Sequence, residues 1–211
     1  MWSINIAEHR WQNLLKGKET KKSPLVLVST VAQQLEVRRA CKMAQQAGIR
    51  IGMNLSLAKA HLPNVTVHKF DPTYDFKVLF QLATWAQKFS PLIGFDPELM
   101  KGYRENSLDK LSFQHYGFIL DVSGMQKIYS NKIELICKLQ KELESRHFEY
   151  RIAFANTIGA AWALSRYARQ KVVVTESRLL QHSLRDLPVE ALRVELQAAA
   201  ALRELGIETV G

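Results

Sequence analysis

Short runs rich in β-branched and apolar residues alternate with longer amphipathic segments along most of this chain, and that alternation limits the possible folds. Pro24–Ser29 and Gly117–Val122 are typical of buried strands. Asp71–Phe89 places Phe76, Leu79, Leu82, Ala83 and Ala86 on one face of a helix. Beyond Glu176 the pattern is helical throughout, and it is rich in Leu and Ala. This order predicts an α/β domain followed by a small helical region.

Two connecting segments are predicted from the same patterns. Val31–Ala47 has helical spacing and stops at Gly48, so a helix is expected there. Pro97–Ser112 is expected to form a polar excursion between two strands.

The charge balance indicates a polyanionic partner. The chain has 211 residues and carries 29 Lys and Arg against 20 Asp and Glu, a net charge of +9 with a pI near 9.6. Such a surplus suits DNA, RNA or an anionic membrane surface, and it also occurs on solvated surfaces without a partner. No apolar run approaches the roughly 20 residues of a membrane-spanning helix, so no membrane role is expected. Cys41 and Cys137 fit no metal-ligand spacing, which predicts two small core residues in a reducing cytoplasm.

Four stretches indicate more about the protein than the pattern of helices and strands does. They are Ala47–Ala60, Gly117–Gly124, Phe154–Ala168 and Leu202–Gly211. In this order and spacing, the first three resemble the fingers, palm and palm-to-thumb segments of Y-family (UmuC-type) translesion DNA polymerases. The ImuB-type branch is the most similar. The fourth stretch resembles the opening of that family's helix-hairpin-helix in the thumb.

The resemblance implies an α/β (α+β) fold with a ferredoxin-like palm sheet, an inserted small fingers lobe and a helical C-terminal thumb. The palm strands are expected near Ile4, Leu92, Leu120 and Ile152. The implied limits are 1–17 and 68–171 for the palm, 18–67 for the fingers-like insertion and 172–211 for the thumb. The family's little finger has no counterpart in this sequence.

Active members of that family hold two Mg²⁺ ions with three carboxylates, which activate the primer hydroxyl and stabilise the departing pyrophosphate. An adjacent Asp-Glu pair precedes their palm strand, and Tyr116 and Gly117 occupy those two places here. The remaining carboxylate belongs to the first strand, yet residues 1–7 contain no acid. Mg²⁺ requires hard oxygen ligands, so the resemblance implies no metal site, no catalytic residue and no cofactor.

The family's nucleotide contacts are also replaced. The fingers residues that hold the triphosphate, a Tyr and an Arg, correspond to Lys42 and Gln45, and a phosphate-binding Lys corresponds to Thr157. Asn156, just before it, is expected to cap the helix that begins at Ile158.

Some acids remain near the palm. Asp121 corresponds to a palm-strand aspartate that does not bind metal, so a structural role is expected. Asp96 and Glu98 are expected to be a solvated pair beside Pro97. The alternative is an active polymerase in which Asp96, Asp121 or Glu8 converge on one Mg²⁺, the only case in which Mg²⁺ would be required.

Two groups are candidates for binding DNA phosphates. By the resemblance, Arg38, Arg39 and Lys42 lie on a helix presented to the template, although a solvated face is an equal alternative. The turn Leu205-Gly206-Ile207 could offer backbone N–H groups to a phosphate, or it could be a fraying terminus.

The function implied is a non-catalytic, ImuB-type factor of DNA repair and translesion synthesis. Expected partners are DNA, held through phosphates without sequence preference, an error-prone polymerase, a RecA-like accessory protein and the sliding clamp. The protein partners are expected to bind mostly through C-terminal parts that this sequence lacks. The expected location is the cytoplasm, at the nucleoid. The other alternative is a protein-interaction scaffold that does not bind DNA.

Overall fold

The computed structural model describes residues 2–5, 23–111, 116–146 and 148–211. Glu8 and the helix predicted through Trp11 and Leu15 lie outside these residues. The strands of the described residues are, in chain order, β1 (Trp2–Asn5), β2 (Leu25–Val31), β3 (Gln34–Ala40), β4 (Thr66–Lys69), β5 (Leu92–Phe95), β6 (Gly117–Asp121), β7 (Glu149–Phe154) and β8 (Val172–Val174). The α-helices are α1 (Lys42–Gln46), α2 (Leu55–His61), α3 (Pro72–Ala86), α4 (Pro97–Arg104), α5 (Lys132–Ser145), α6 (Ile158–Tyr167), α7 (Leu180–Arg185) and α8 (Leu196–Glu204). Short 3₁₀ turns cover Leu108–Lys110, Met125–Lys127, Ser177–Leu179 and Val189–Leu192.

Five strands form the larger sheet, which we call the palm sheet, in the order β5-β6-β1-β7-β8. Neighbouring strands are antiparallel except β7 and β8, which are parallel. In the register, Trp2 of β1 lies opposite Phe118 of β6 and Ile152 of β7. The first four strands have the order of a ferredoxin-like sheet, and β8 extends it by one strand. The predicted fold class is confirmed.

Helices cover both faces of the palm sheet. The apolar face predicted for α3 is buried together with residues of α5 and with Tyr116 and Phe118. Ala153, whose side chain points to the opposite face from Ile152, packs with Trp162 of α6. Two of these helices have clear N-caps, because Asp71 accepts from the Tyr74 N–H at 2.9 Å and Asn131 from the Glu134 N–H at 2.9 Å. The sheet therefore lies between two helical layers.

A second sheet, with strand order β3-β2-β4, contains the segment for which one long helix was predicted. The prediction of a helix over Val31–Ala47 is wrong for most of that range, because β2 and β3 form a hairpin there. Ala32 and Gln33 both have positive φ, 45° and 66°, which is the backbone of a tight hairpin turn. An Ala-Gln turn carries no strong sequence signal, so only strand pairing reveals it. We call this sheet, with α1 and α2, the fingers-like lobe.

The segment predicted to be a polar excursion, Pro97–Ser112, buries apolar side chains in the core. It contains α4 and a 3₁₀ turn, and Leu99 and Leu108 are buried in the same core as α3. The ring of Tyr103 stacks on that of Phe76 with centroids 4.1 Å apart. The excursion is therefore a folded cap on the palm.

The last residues of the chain form backbone hydrogen bonds with the segment 187–189. The Val189 N–H donates to the Glu208 carbonyl at 3.1 Å, and the Val210 N–H donates to the Leu187 carbonyl at 2.9 Å. Residues 208–210 are therefore paired with the segment around Val189.

The cysteine prediction is half right. Cys41 is buried, but Cys137 is exposed on α5. Among the described residues, no helix has the length and apolar character needed to cross a membrane.

Candidate functional site at the junction of the two sheets

Tyr116 and Gly117 stand where the palm sheet meets the fingers-like lobe. Gly117 opens β6 and lies opposite Ser3 of β1. Tyr116 immediately precedes it, and its side chain is only 1% exposed. Neither residue offers a carboxylate, and the Tyr116 ring is packed inside the protein.

Arg39 of β3 reaches this tyrosine. Its guanidinium carbon lies 4.8 Å from the centroid of the Tyr116 ring and 5.0 Å from that of the Phe70 ring. Its Nη1 donates to the Arg38 carbonyl at 2.9 Å, and the residue is 5% exposed. The prediction that Arg38 and Arg39 lie on a helix is wrong, since both belong to a strand. Their contact with DNA stays a prediction, and the guanidinium of Arg39 points into the protein.

The electrostatics of this junction follow from burial. Burial lowers the pKa of Arg39, and the negative charge of Asp75, a fully buried residue of α3, counters that shift. Burial raises the pKa of Tyr116 to about 12, while the positive charge of Arg39 acts in the opposite direction. Tyr116 is therefore a neutral phenol at physiological pH, packed against a cation.

The raised pKa predicts a stability change at alkaline pH. Between pH 10 and about 12 the folded protein keeps the Tyr116 proton while the unfolded chain loses it. The free energy of unfolding should therefore fall as the pH rises through this range. Burial, and then a hydrogen bond to Glu144, also raises the pKa of Tyr150 to about 12. In a tyrosinate absorbance titration of the folded protein, Tyr116→Phe should remove one tyrosine that titrates near pH 12. If Tyr116→Phe removes a tyrosine that titrates near pH 10, the burial argument is wrong.

Two of the three residues at the nucleotide-contact positions make hydrogen bonds within the described fold. Gln45 donates from Nε2 to the Ala40 carbonyl at 2.8 Å, and Lys42 is exposed at the start of α1. Thr157 is the N-cap of α6, accepting from the Ala160 N–H at 3.3 Å. The prediction that Asn156 caps this helix is wrong, because its amide hydrogen-bonds to Ser177.

Asp96 is not a solvated loop acid as predicted. It is 2% exposed, and its Oδ2 accepts from the indole Nε1 of Trp162 at 2.7 Å. The guanidinium of Arg166 lies 3.5 Å from the same oxygen, and Oδ1 accepts from the Glu98 N–H at 3.0 Å. Burial lowers the pKa of Arg166 to about 10, and the charge of Asp96 counters this shift. The carboxylate is thus committed to contacts within the protein.

Asp96 and Asp121, the two acids of the rival metal site within the described residues, do not converge. Asp121 is exposed, and its Oδ1 accepts from the Ser123 N–H at 2.9 Å. Asp121 pairs with Leu92 across β5 and β6, four residues from Asp96, so the two acids lie at opposite ends of this strand pair, roughly 13 Å apart along the strand. Within the described ranges, no cluster of three or more His, Cys, Asp or Glu could hold a metal ion.

Sequence reasoning missed Asp75, Phe70 and the burial of Arg39. No sequence signal marked Asp75, because an acid in the first turn of a helix is common on a solvated surface. Its burial becomes visible only in the folded structure.

The turn Leu205-Gly206-Ile207 is exposed beyond α8, with Gly206 at φ 81°. The Gly206 N–H donates to the Arg203 carbonyl at 2.9 Å and the Ile207 N–H to the Leu202 carbonyl at 2.9 Å. These two donors are therefore used within the chain, as in a helix C-cap.

A cavity of about 580 Å³ opens at the other end of the palm strands. It lies between the ends of β6 and β7 and the starts of α5 and α6, and Asp121, Lys132 and Thr157 are among its lining residues. It is therefore separate from the junction at Tyr116.

Comparison with known proteins agrees with this architecture. Residues 12–166 match the model of the impB/mucB/samB family. The chain therefore belongs to the impB/mucB/samB family. Protein ImuB of Caulobacter vibrioides, in two strains, is 27% identical to this family member over 164 residues, which are 78% of this chain and 32% of that protein. The chain thus spans about a third of the length of the curated relatives it matches.

Solved structures of Y-family DNA polymerases share the fold of this impB/mucB/samB domain. DinB from Sulfolobus solfataricus superimposes with a TM-score of 0.68 at 18% identity, over 99% of this chain and 57% of that one. A ternary complex of Dbh gives a TM-score of 0.70 at 18% identity, over 99% and 56%. At these identities the likeness establishes the fold.

Proposed function

We propose that this impB/mucB/samB domain is a non-catalytic, polymerase-like module that binds DNA during damage tolerance. One observation carries the proposal: Tyr116, which by sequence resemblance corresponds with Gly117 to the paired carboxylates of active relatives, is buried against the cation of Arg39. Two Mg²⁺ ions need anionic oxygen ligands, and a guanidinium beside the site repels divalent cations. The residues present do not fit the metal centre of an active polymerase, so we expect no nucleotidyl transfer by them.

The retained fold and the basic charge support binding to DNA through phosphates. Lys42 is exposed, and Arg38 is partly exposed on the same lobe. The net charge of +9 favours a non-specific complex in which Lys and Arg displace counterions. The Dbh relatives were solved as polymerase complexes, which agrees with a DNA-facing fold of this kind. An ImuB-type role would add an error-prone polymerase, a RecA-like accessory protein and the sliding clamp as partners in the cytoplasm.

Primer extension and DNA binding, measured on the same primed template, test the proposal. With all four nucleotides and either Mg²⁺ or Mn²⁺ we expect no extension, while an active Y-family polymerase extends the primer under the same conditions. Metal-dependent extension that is lost on Asp121→Ala would show an active enzyme and refute the proposal.

In the binding measurement we expect the dissociation constant to rise with salt. Lys42→Glu should weaken binding to all sequences alike, and it should lower the salt slope by roughly one unit because one Lys no longer neutralises a phosphate. Lys141→Glu, at an exposed site on α5, is the matched control. Absence of any salt-dependent complex would favour a protein-interaction scaffold.

A further inference from the structure

Arg39 lies between two separate cores. Phe70, on one side of its guanidinium, belongs to the core of the fingers-like lobe, and the Phe70 N–H donates to the Val28 carbonyl of β2 at 2.8 Å. Tyr116, on the other side, belongs to the palm core that contains α3. A single planar side chain therefore contacts an aromatic ring from each core.

A neighbouring contact links the lobe to the cap on the palm. Arg38 donates from Nη2 to the Asp109 carbonyl at 2.5 Å, and Asp109 lies in the 3₁₀ turn that follows α4. Adjacent arginines of β3 thus attach the same strand to two parts of the palm.

We propose that Arg39 is an internal latch that holds the fingers-like lobe against the palm as one rigid unit without a bound nucleotide. In enzymes whose lobes close on a substrate, closure depends on the substrate's own contacts. Here the contact comes from the chain itself, because a buried cation is held by two rings and by the charge of the buried Asp75. The lobe therefore keeps one orientation, and the surface it presents with the palm is the same at all times.

The junction resists opening because these groups would be separated. Opening would strip the guanidinium of two aromatic faces and move it away from Asp75, which is 0% exposed, and rehydration of the guanidinium would offset part of that loss. A cation between desolvated rings gains more than one at the surface. An arginine suits this place because its flat guanidinium stacks on both sides, which a lysine ammonium does not.

Hydrogen exchange and thermal unfolding of the whole chain, without DNA or nucleotide, test the latch. Arg39→Met should lower the melting temperature by several degrees and speed amide exchange in β2, β3 and β4 by about tenfold or more, with smaller changes in β6 and β7. Arg50→Met is the matched control, since Arg50 is an exposed arginine of the same lobe that donates to the Gln45 carbonyl at 2.9 Å. It should leave both readouts close to those of the parent protein.

Variants of Tyr116 identify the ring as the partner. Tyr116→Phe keeps the aromatic face and should leave exchange in the lobe unchanged, whereas Tyr116→Leu should speed it as Arg39→Met does. The double variant Arg39→Met/Tyr116→Leu should lower the melting temperature by less than the sum of the single changes.

The latch is wrong if Arg39→Met behaves like Arg50→Met, or if the double variant is additive. Should Arg39→Met fail to fold, Arg39→Lys decides the question. It keeps the charge, and it should produce a folded protein whose fingers-like lobe exchanges faster than that of the parent. Exchange equal to the parent's would overturn the latch. These readouts involve no DNA synthesis, so they separate the latch from the proposed lack of catalysis.

Discussion

Replacing Asp96 by alanine should lower the free energy of unfolding by about 3 to 5 kcal/mol, the cost typical of breaking a buried ion pair on one side. The change removes the acceptor of the Trp162 indole N–H and the carboxylate beside Arg166, both within the protein interior. It also removes the N-cap of α4, which contributes about 1 kcal/mol where such caps have been measured. For a chain of this size, that total corresponds to a fall in melting temperature of roughly 10 to 20 °C.

Companion variants identify the buried cation as the cause. Asp96→Asn keeps an acceptor for Trp162 and should cost less than alanine. Adding Arg166→Met to Asp96→Ala should recover part of the stability, since it removes the cation that no longer has a carboxylate beside it. Glu98→Ala, on an exposed neighbour in the first turn of α4, is the control and should change stability little. A decrease below about 1 kcal/mol for Asp96→Ala in denaturant unfolding would contradict the buried pair.

Replacing Leu99 by alanine should cost about 2 to 5 kcal/mol, because its side chain is fully buried in the palm core. A residue in a solvated loop would cost almost nothing, so this variant tests whether the segment after β5 is a folded cap. Gly102 provides a second test of the same packing, since a Cβ placed there would lie 2.6 Å from a methyl carbon of Leu111. Gly102→Ala should therefore also destabilise, by an amount that depends on how far Leu111 can move.

Lys101→Ala is the matched control for this cap. Lys101 is exposed on α4 between the two tested positions, and its removal should stay within about 0.5 kcal/mol of the parent. If Leu99→Ala and Lys101→Ala have the same free energy of unfolding, the cap does not belong to the palm core.

Much of the fold follows from local pattern. The sequence predicts the apolar face of α3 and the strands β2 and β6, because helix and strand periodicities are properties of short segments. The hairpin over β2 and β3 was missed because Ala32 and Gln33 form a tight turn without the residues that usually mark one. The helix α4 was missed because its apolar residues are few and its neighbours are polar.

The sequence by itself predicted the α/β fold and, through its resemblance to Y-family polymerases, that Tyr116 and Gly117 replace a pair of carboxylates. Both predictions depend only on which residue stands at which position. Only the tertiary structure decided that Arg39 is buried against Tyr116 and that Asp96 binds Trp162, a partner 66 residues away. A buried charge must be compensated, but any opposite charge or aromatic ring would satisfy that need locally. The choice among them is made by which strands and helices pack together, and that is a property of the whole fold.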